Sequence, residues 1–200
     1  MSTSLLLGCL QWHSAFSQGV PHEANVWKRQ WQGTMRQIWG LDAPAWGASQ
    51  IEAESAWRDG RTSSAGAMGL AQFIPSTAQG MERLYPGLAS MGRYSPKWSF
   101  YANGILMRDL YREFGKDRDK CNGIMLSGAG YNGSPSTLRK EIFLCTTDLK
   151  CDVRLWEDIA KKSARAPQHW RESRNYVARI TRREPSYAAE SWGVAFCVER

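Results

Sequence analysis

The most informative stretch of this sequence is Ser64-Ala65-Gly66-Ala67-Met68-Gly69-Leu70-Ala71-Gln72-Phe73-Ile74-Pro75-Ser76-Thr77-Ala78. It follows an apolar-faced segment that ends near Glu54. Gly66, Ala67 and Gly69 have almost no side chain, so a bulky ligand can lie against the backbone there. A carboxyl group beside apolar surface has its neutral form favoured by desolvation. Glu54 is therefore a candidate general acid that works near neutral pH.

The spacing of apolar residues predicts a chain made mostly of helices. Pro44 can open a helix that ends near Glu54, Pro75 begins a short one, and Ser95-Pro96 begins the longest. Alternating strand patterns are scarce. We expect a mostly α fold with little or no β-sheet. The remaining predicted helices cover residues 23–39, 122–130, 135–144, 153–163 and 169–183.

The composition fits one globular domain. The chain has 200 residues, 42% of them hydrophobic and 22% charged, with no repeat, linker or low-complexity stretch. Ten tryptophans are many for this length. Most are expected in the core, and the alternative is that a few form flat surfaces on which sugar rings stack.

Basic residues give the chain a net charge of +7 and concentrate late in the sequence. Such a surface attracts polyanions, whether nucleic acid, an anionic envelope surface or a cell-wall polymer. The alternative is an ordinary solvated helix face. Because no nucleic-acid motif accompanies the run, nucleic acid is not expected as a partner. The residues are Lys161, Lys162, Arg165, Arg171, Arg174, Arg179, Arg182 and Arg183.

The five cysteines have no metal-site spacing and the three histidines are scattered, so no metal site is expected. No cofactor is expected either. Leu6-Leu7-Gly8-Cys9 resembles the lipobox of bacterial lipoproteins, although no Lys or Arg precedes it and its apolar run is short. Residues 1–22 are thus interpreted as a leader or N-terminal arm, and residues 23–200 as the domain. If Cys9 is lipidated, four cysteines remain for two disulfides, with three possible connectivities. These are Cys121, Cys145, Cys151 and Cys197.

Four short motifs occur in order: Glu54-Ser55, residues 64–78, Ala129-Gly130-Tyr131-Asn132-Gly133, and Glu172-Ser173-Arg174-Asn175-Tyr176-Val177. Together they resemble the motifs of the soluble lytic transglycosylases, lysozyme-like enzymes that cut bacterial peptidoglycan. A lone Glu-Ser pair would carry no weight, whereas four ordered motifs make chance resemblance improbable. The resemblance implies a lysozyme-like α domain with a groove for peptidoglycan glycan strands.

The resemblance also implies a role for Glu54. It would protonate the oxygen between MurNAc and GlcNAc, then accept the proton of the MurNAc C6 hydroxyl as a 1,6-anhydro end forms. Hydrolysis normally needs two carboxylates. Asp59 is too close in sequence, and goose-type lysozymes have aspartate where this chain has Ile74. A single-carboxylate route is therefore favoured; a muramidase and a catalytically silent peptidoglycan-binding module are the alternatives.

The matched positions also imply a substrate-binding set. Gln72 can offer donors and an acceptor to a sugar. Either Ser63 or Ser64 would touch the sugar, and the Tyr131 hydroxyl would point toward Glu54. Asn132 can alternatively cap a helix, and Glu172 can alternatively pair with neighbouring arginines. The full set is Ser63, Ser64, Gly69, Gln72, Ile74, Tyr131, Asn132, Glu172 and Tyr176.

Two biological settings fit the compact size: bacteriophage lysis, and local opening of the wall for a conjugation or secretion apparatus. We expect a monomer in the periplasm, secreted or at the cell envelope, with Cys9 as a candidate lipid anchor. For a phage endolysin the alternative is the host cytoplasm before holin-dependent release.

Overall fold

Helices make up nearly all the regular structure in residues 19–197, the part of the chain described by this computed structural model. Within that range β-structure is limited to three isolated bridges, which confirms the mostly α prediction. The helices are α1 His22–Asn25, α2 Lys28–Trp39, α3 Trp46–Ser55, α4 Pro75–Leu84, α5 Pro96–Phe114, α6 Lys120–Gly133, α7 Pro135–Thr146, α8 Trp156–Ile159 and α9 Pro167–Ala189.

The helix starts follow from local chemistry. Proline occupies the first turn of α4, α5, α7 and α9, where its missing N–H costs nothing. The side chain of Ser95 accepts a hydrogen bond from the Trp98 N–H at 3.1 Å, and Asp119 caps α6 in the same way. Most predicted helices are therefore found close to where the sequence placed them.

Two predictions about the helices were wrong. The longest helix is α9, with 23 residues, and not α5, with 19; α9 continues beyond residue 183, where the predicted helix ended, and includes Pro185. The helix predicted over 153–163 is reduced to the four residues of α8. Asp152 explains the second difference, because its side chain accepts the Arg154 N–H at 2.9 Å and holds this segment in a turn.

Tryptophans form much of the core. Trp31 contacts Phe100 edge to face, with ring centroids 5.5 Å apart, and Trp57 lies against Trp192 at 4.9 Å. None of the nine tryptophans in residues 19–197 belongs to the exposed class. The core interpretation holds for most of them, since six are buried: Trp31, Trp46, Trp57, Trp98, Trp156 and Trp192.

Close contacts between α3, α6 and α9 fix the position of Glu54. A Cβ on Gly128 of α6 would lie 2.2 Å from the ring of Trp46 on α3, so only glycine lets the two helices approach this closely. The same ring donates a hydrogen bond from Nε1 to Oγ1 of Thr181 on α9 at 3.1 Å. The helix that carries Glu54 is thus held from two sides.

The late basic residues are largely engaged within the protein. Arg165 and Arg174 both form ion pairs with Glu141, whose side chain is completely buried. Lys161, Lys162 and Arg183 pair with acidic residues at the surface or in partly buried positions. Most of these basic residues therefore serve ion pairs within the protein. This favours an ordinary helix surface over a single basic face that binds a polyanion.

Two disulfides link the described cysteines. Cys121 at the start of α6 bonds to Cys197, and Cys145 of α7 bonds to Cys151. The expectation of two disulfides is confirmed, with one of the three open connectivities selected. Cys9, and with it nearly all of the proposed leader, lies outside the described residues. None of the helices in residues 19–197 is long and apolar enough to cross a membrane.

Candidate active site

Helix α3 ends directly after Glu54 because the chain turns sharply there. Ala56 and Trp57 both adopt left-handed backbone conformations, with φ of 52° and 59°. The turn is anchored by Trp57, which is buried and donates a hydrogen bond from its indole to the Tyr187 hydroxyl at 2.6 Å. Glu54 is therefore held at a rigid helix end, from which the glycine-containing loop departs.

The loop after α3 is closed by its own hydrogen bonds. Met68 and Phe73 exchange backbone hydrogen bonds at 3.1 and 3.2 Å, and the Ser63 hydroxyl accepts the Ala67 N–H at 3.0 Å. Gly69 has a φ of +78°, and a Cβ there would lie 2.9 Å from the carbonyl oxygen of Tyr94. Of the predicted contact residues, Ser63 and Gly69 thus have clear structural tasks within this loop.

Gln72 borders the site, but its donors are occupied. Its Nε2 donates to the carbonyl oxygens of Arg61 and Gly69 at 2.9 and 2.8 Å. The prediction that this amide offers both donors and an acceptor to a sugar was wrong in part. The physical reason is that the loop carbonyls need partners, which leaves Oε1 as the atom for a ligand.

Two cavities adjoin Glu54, and both also include Asn132. The smaller measures about 190 Å³ and the larger about 380 Å³. The smaller is lined by Glu54, Gln72, Phe73, Ile74, Thr77, Leu106, Tyr131 and Asn132; the larger is lined by Glu54, Asn132, Glu172, Asn175, Tyr176 and Arg179. The carboxyl group thus borders both halves of an open groove. Ser63, Ser64 and Gly69 line neither cavity.

The surroundings of Glu54 suit a proton donor. Burial raises the pKa of Glu54 to about 7, against smaller lowering effects from a Tyr176 hydrogen bond and from the charges of Arg179 and Arg61. The Tyr176 hydroxyl donates to Oε1 of Glu54 at 2.5 Å. A carboxyl with this pKa can donate a proton near neutral pH and take one back as a carboxylate.

The two tyrosines at the site differ from the expected arrangement. Tyr131 donates its hydroxyl hydrogen to the Ala71 carbonyl oxygen at 2.8 Å, so the predicted approach to the catalytic acid is not a hydrogen bond. Burial and the nearby charge of Glu54 raise the pKa of Tyr131 well above its usual value. The direct partner of Glu54 is Tyr176, because α9 lies beside α3 and brings that hydroxyl to the carboxyl.

The sequence of residues 48–144 matches the family model described as Transglycosylase SLT domain. These residues belong to the transglycosylase SLT family. No curated protein gives a significant sequence match. Among solved structures, the chain resembles the 70 kDa soluble lytic transglycosylase Slt70 from Escherichia coli, with a TM-score of 0.57 and 20% identity. The match covers 88% of this chain and 31% of that one, so the chain spans about a third of the length of this structural relative.

The remaining predicted site residues line the larger cavity. Asn132 lies in the last turn of α6 and borders both cavities, where it does not cap a helix. Glu172 and Tyr176 are one turn apart on α9 and border the larger cavity together. Glu172 is exposed, and its carboxylate lies 3.6 Å from Nδ1 of His169 and not against an arginine.

Three residues of the site were not predicted from the sequence. Gln50 is completely buried on α3, and its Nε2 donates to the Tyr176 hydroxyl at 2.9 Å. Asn103 on α5 donates to Gln50 at 3.0 Å, and Arg179 lines the larger cavity. The available signal was the position of Gln50, one helical turn before Glu54, among small and apolar neighbours.

Proposed function

We propose that the chain is a lytic transglycosylase that cleaves the β-1,4 bond between MurNAc and GlcNAc in peptidoglycan and leaves 1,6-anhydroMurNAc ends. The observation that carries this proposal is Glu54, a partly buried carboxyl between two cavities with a pKa of about 7. Membership of the SLT family and the fold shared with Slt70 support it.

The geometry supports a single residue that acts first as acid and then as base. Protonated Glu54 donates its proton to the glycosidic oxygen as the bond from C1 to that oxygen breaks. The hydrogen bond from Tyr176 and the charges of Arg61 and Arg179 stabilise the carboxylate that forms. The carboxylate then takes the proton of the C6 hydroxyl while O6 bonds to C1, which regenerates the acid without water.

The cavity lining favours this intramolecular route over hydrolysis. Ile74 places an apolar side chain in the smaller cavity. The other carboxylate at the larger cavity, Glu172, has a side chain 68% exposed beside His169. Neither arrangement resembles the pair of carboxylates that flanks the bond in most glycosidases.

Digestion of purified peptidoglycan tests the proposal. The chain should release muropeptides with 1,6-anhydroMurNAc ends, identified by mass spectrometry, and Glu54→Gln should release at least about 10³-fold less, because an amide is too weak an acid to protonate the leaving oxygen. Glu52→Gln is the matched control, since Glu52 lies on the same helix and pairs with Arg183. Products with only reducing ends would mean hydrolysis, and no products at all would favour a silent binding module.

We further propose that the enzyme works in the periplasm or at the outer side of the cell envelope. Two disulfides support this setting, because such bonds persist in oxidising compartments. The same bonds speak against storage in the host cytoplasm before phage lysis. The redox state of the four cysteines in protein recovered from cells tests the proposal: free thiols would contradict it.

A further inference from the structure

A chain of buried polar side chains lies behind Glu54. The Nδ2 of Asn103 donates to Oε1 of Gln50 at 3.0 Å, and Nε2 of Gln50 donates to the Tyr176 hydroxyl at 2.9 Å. Tyr176 in turn donates to Oε1 of Glu54 at 2.5 Å. Gln50 is 0% and Asn103 1% exposed. Burying two amides costs free energy, and the Oδ1 of Asn103 has no hydrogen-bond partner among residues 19–197, so a role beyond packing is expected for this chain of side chains.

The order of donors along this chain determines where the Tyr176 hydrogen points. A phenol has one hydrogen and can also accept. Since Gln50 donates to its oxygen, the single hydrogen of Tyr176 is directed to Glu54. Asn103 keeps Gln50 in this orientation, because it supplies the donor that the Gln50 oxygen requires.

We propose that Gln50 is a positioning residue that keeps Tyr176 a hydrogen-bond donor to Oε1 of Glu54, so that the transferable proton resides on Oε2. This inference rests on the proposed function. In residues 19–197 no hydrogen bond to Oε2 is found, which leaves that oxygen for the substrate. Gln50 lies outside the four motifs on which the family resemblance rests.

Without Gln50, a second arrangement becomes available to the protonated carboxyl. The Tyr176 oxygen can then accept, and the proton of Glu54 can reside on Oε1 and point to Tyr176, away from the glycosidic oxygen. The other groups near Glu54 do not prevent this, because Arg61 and Arg179 act through their charge and Tyr131 donates to Ala71. Gln50 therefore excludes an unproductive placement of the proton.

A double-mutant cycle on a soluble MurNAc–GlcNAc oligosaccharide tests the inference. Gln50→Met should lower kcat by about two- to tenfold, the factor expected for one hydrogen bond of ordinary net strength, with KM unchanged. In the Tyr176→Phe background the same substitution should change kcat little, because no hydroxyl remains to be directed. Ser49→Ala, a buried polar change on the same helix, is the control and should keep the kcat of the parent.

A second variant leaves Gln50 in place. Asn103→Leu keeps the approximate size of the side chain but removes the donor to the Gln50 oxygen, so the Gln50 amide is no longer held with its nitrogen toward Tyr176. It should lower kcat by a similar factor while circular dichroism shows a native fold. Equal losses from Gln50→Met with and without the Tyr176 hydroxyl, or full activity of Asn103→Leu, would overturn the inference. An inactive parent would instead contradict the proposed function.

Discussion

At the scale of single residues, the decisive feature is the balance of effects that sets the pKa of Glu54. Its burial favours the neutral acid, whereas Tyr176, Arg179 and Arg61 favour the carboxylate. The two tendencies leave the pKa at about 7, where both forms are accessible. A residue that must first give and then regain a proton benefits from this balance, because neither form is too stable to react.

We predict that activity falls as the pH rises through about 7, because the first step needs protonated Glu54. Arg179→Gln should shift this fall in kcat/KM to higher pH, since loss of a positive charge destabilises the carboxylate and raises its pKa. The shift should be about half a pH unit, because water weakens the influence of an exposed charge. Profiles of kcat/KM against pH measure it.

Arg182→Gln is the matched control for the charge effect. Arg182 is exposed on the same helix and lines neither cavity. Its removal changes the net charge by the same amount, so the profile should not move. A downward shift in Arg179→Gln, or equal shifts in both variants, would show that Arg179 does not act on Glu54.

At the scale of elements, the sequence predicted the helices that carry the motifs better than the connections between them. Pro75 and Pro96 are the first residues of their helices, and this preference of proline for the first turn can be recognised from the sequence alone. The continuation of α9 past Pro185 depends on burial of Tyr187 against Trp57, a contact between distant segments. Tertiary packing of this kind overrides a local stop signal and leaves no local trace.

The same distinction applies to the site. Glu54 was predictable because its helix end and the adjacent loop are neighbours in sequence. The Tyr176 hydrogen bond was not, because it joins residues 122 positions apart, and the occupied donors of Gln72 depend on loop carbonyls. Which atoms remain free for a ligand follows from the folded backbone, and residue types alone do not reveal it.

We predict that the approach of α6 to α3 cannot tolerate a methyl group. Gly128→Ala should lower the free energy of unfolding by about 1–3 kcal/mol despite the better helix propensity of alanine, because its Cβ would overlap the Trp46 ring. Activity should fall as well, since a shift of α3 displaces Glu54. Urea unfolding and the rate of muropeptide release measure the two effects.

Gly33→Ala provides the comparison on an exposed helix. A Cβ at Gly33 meets nothing within 4 Å in the described part of the chain, so only propensity changes. This variant should be more stable by up to about 1 kcal/mol, with unchanged activity. If both alanine variants were stabilised, the tight contact between α3 and α6 would be refuted.

At the scale of the whole molecule, the C-terminal segment connects the parts that carry the site. The Val194 backbone exchanges hydrogen bonds with Ala43 and Ala45 just before α3, at 2.8 and 2.9 Å. Glu184 accepts the N–H groups of Phe196 and Cys197, both at 2.9 Å, and burial raises its pKa to about 7. The disulfide to Cys121 then attaches this segment to α6. The C-terminal segment is therefore bonded to α6, to α9 and to the residues just before α3.

The two disulfides should therefore contribute unequally to the stability of the fold. The Cys121–Cys197 bond closes a loop with a sequence separation of 76, against 6 for Cys145–Cys151. In the chain-entropy model, loss of the long-range bond costs about 4–5 kcal/mol and loss of the short one about 2. The pair Cys121→Ser with Cys197→Ser should therefore unfold at clearly lower urea concentration than Cys145→Ser with Cys151→Ser, each measured without reductant against the parent.

Because the long-range bond also restrains α6, its loss should reduce muropeptide release under native conditions, whereas loss of the short bond should leave release unchanged. Equal stability of the two double variants would show that the C-terminal segment keeps its position without the Cys121–Cys197 disulfide.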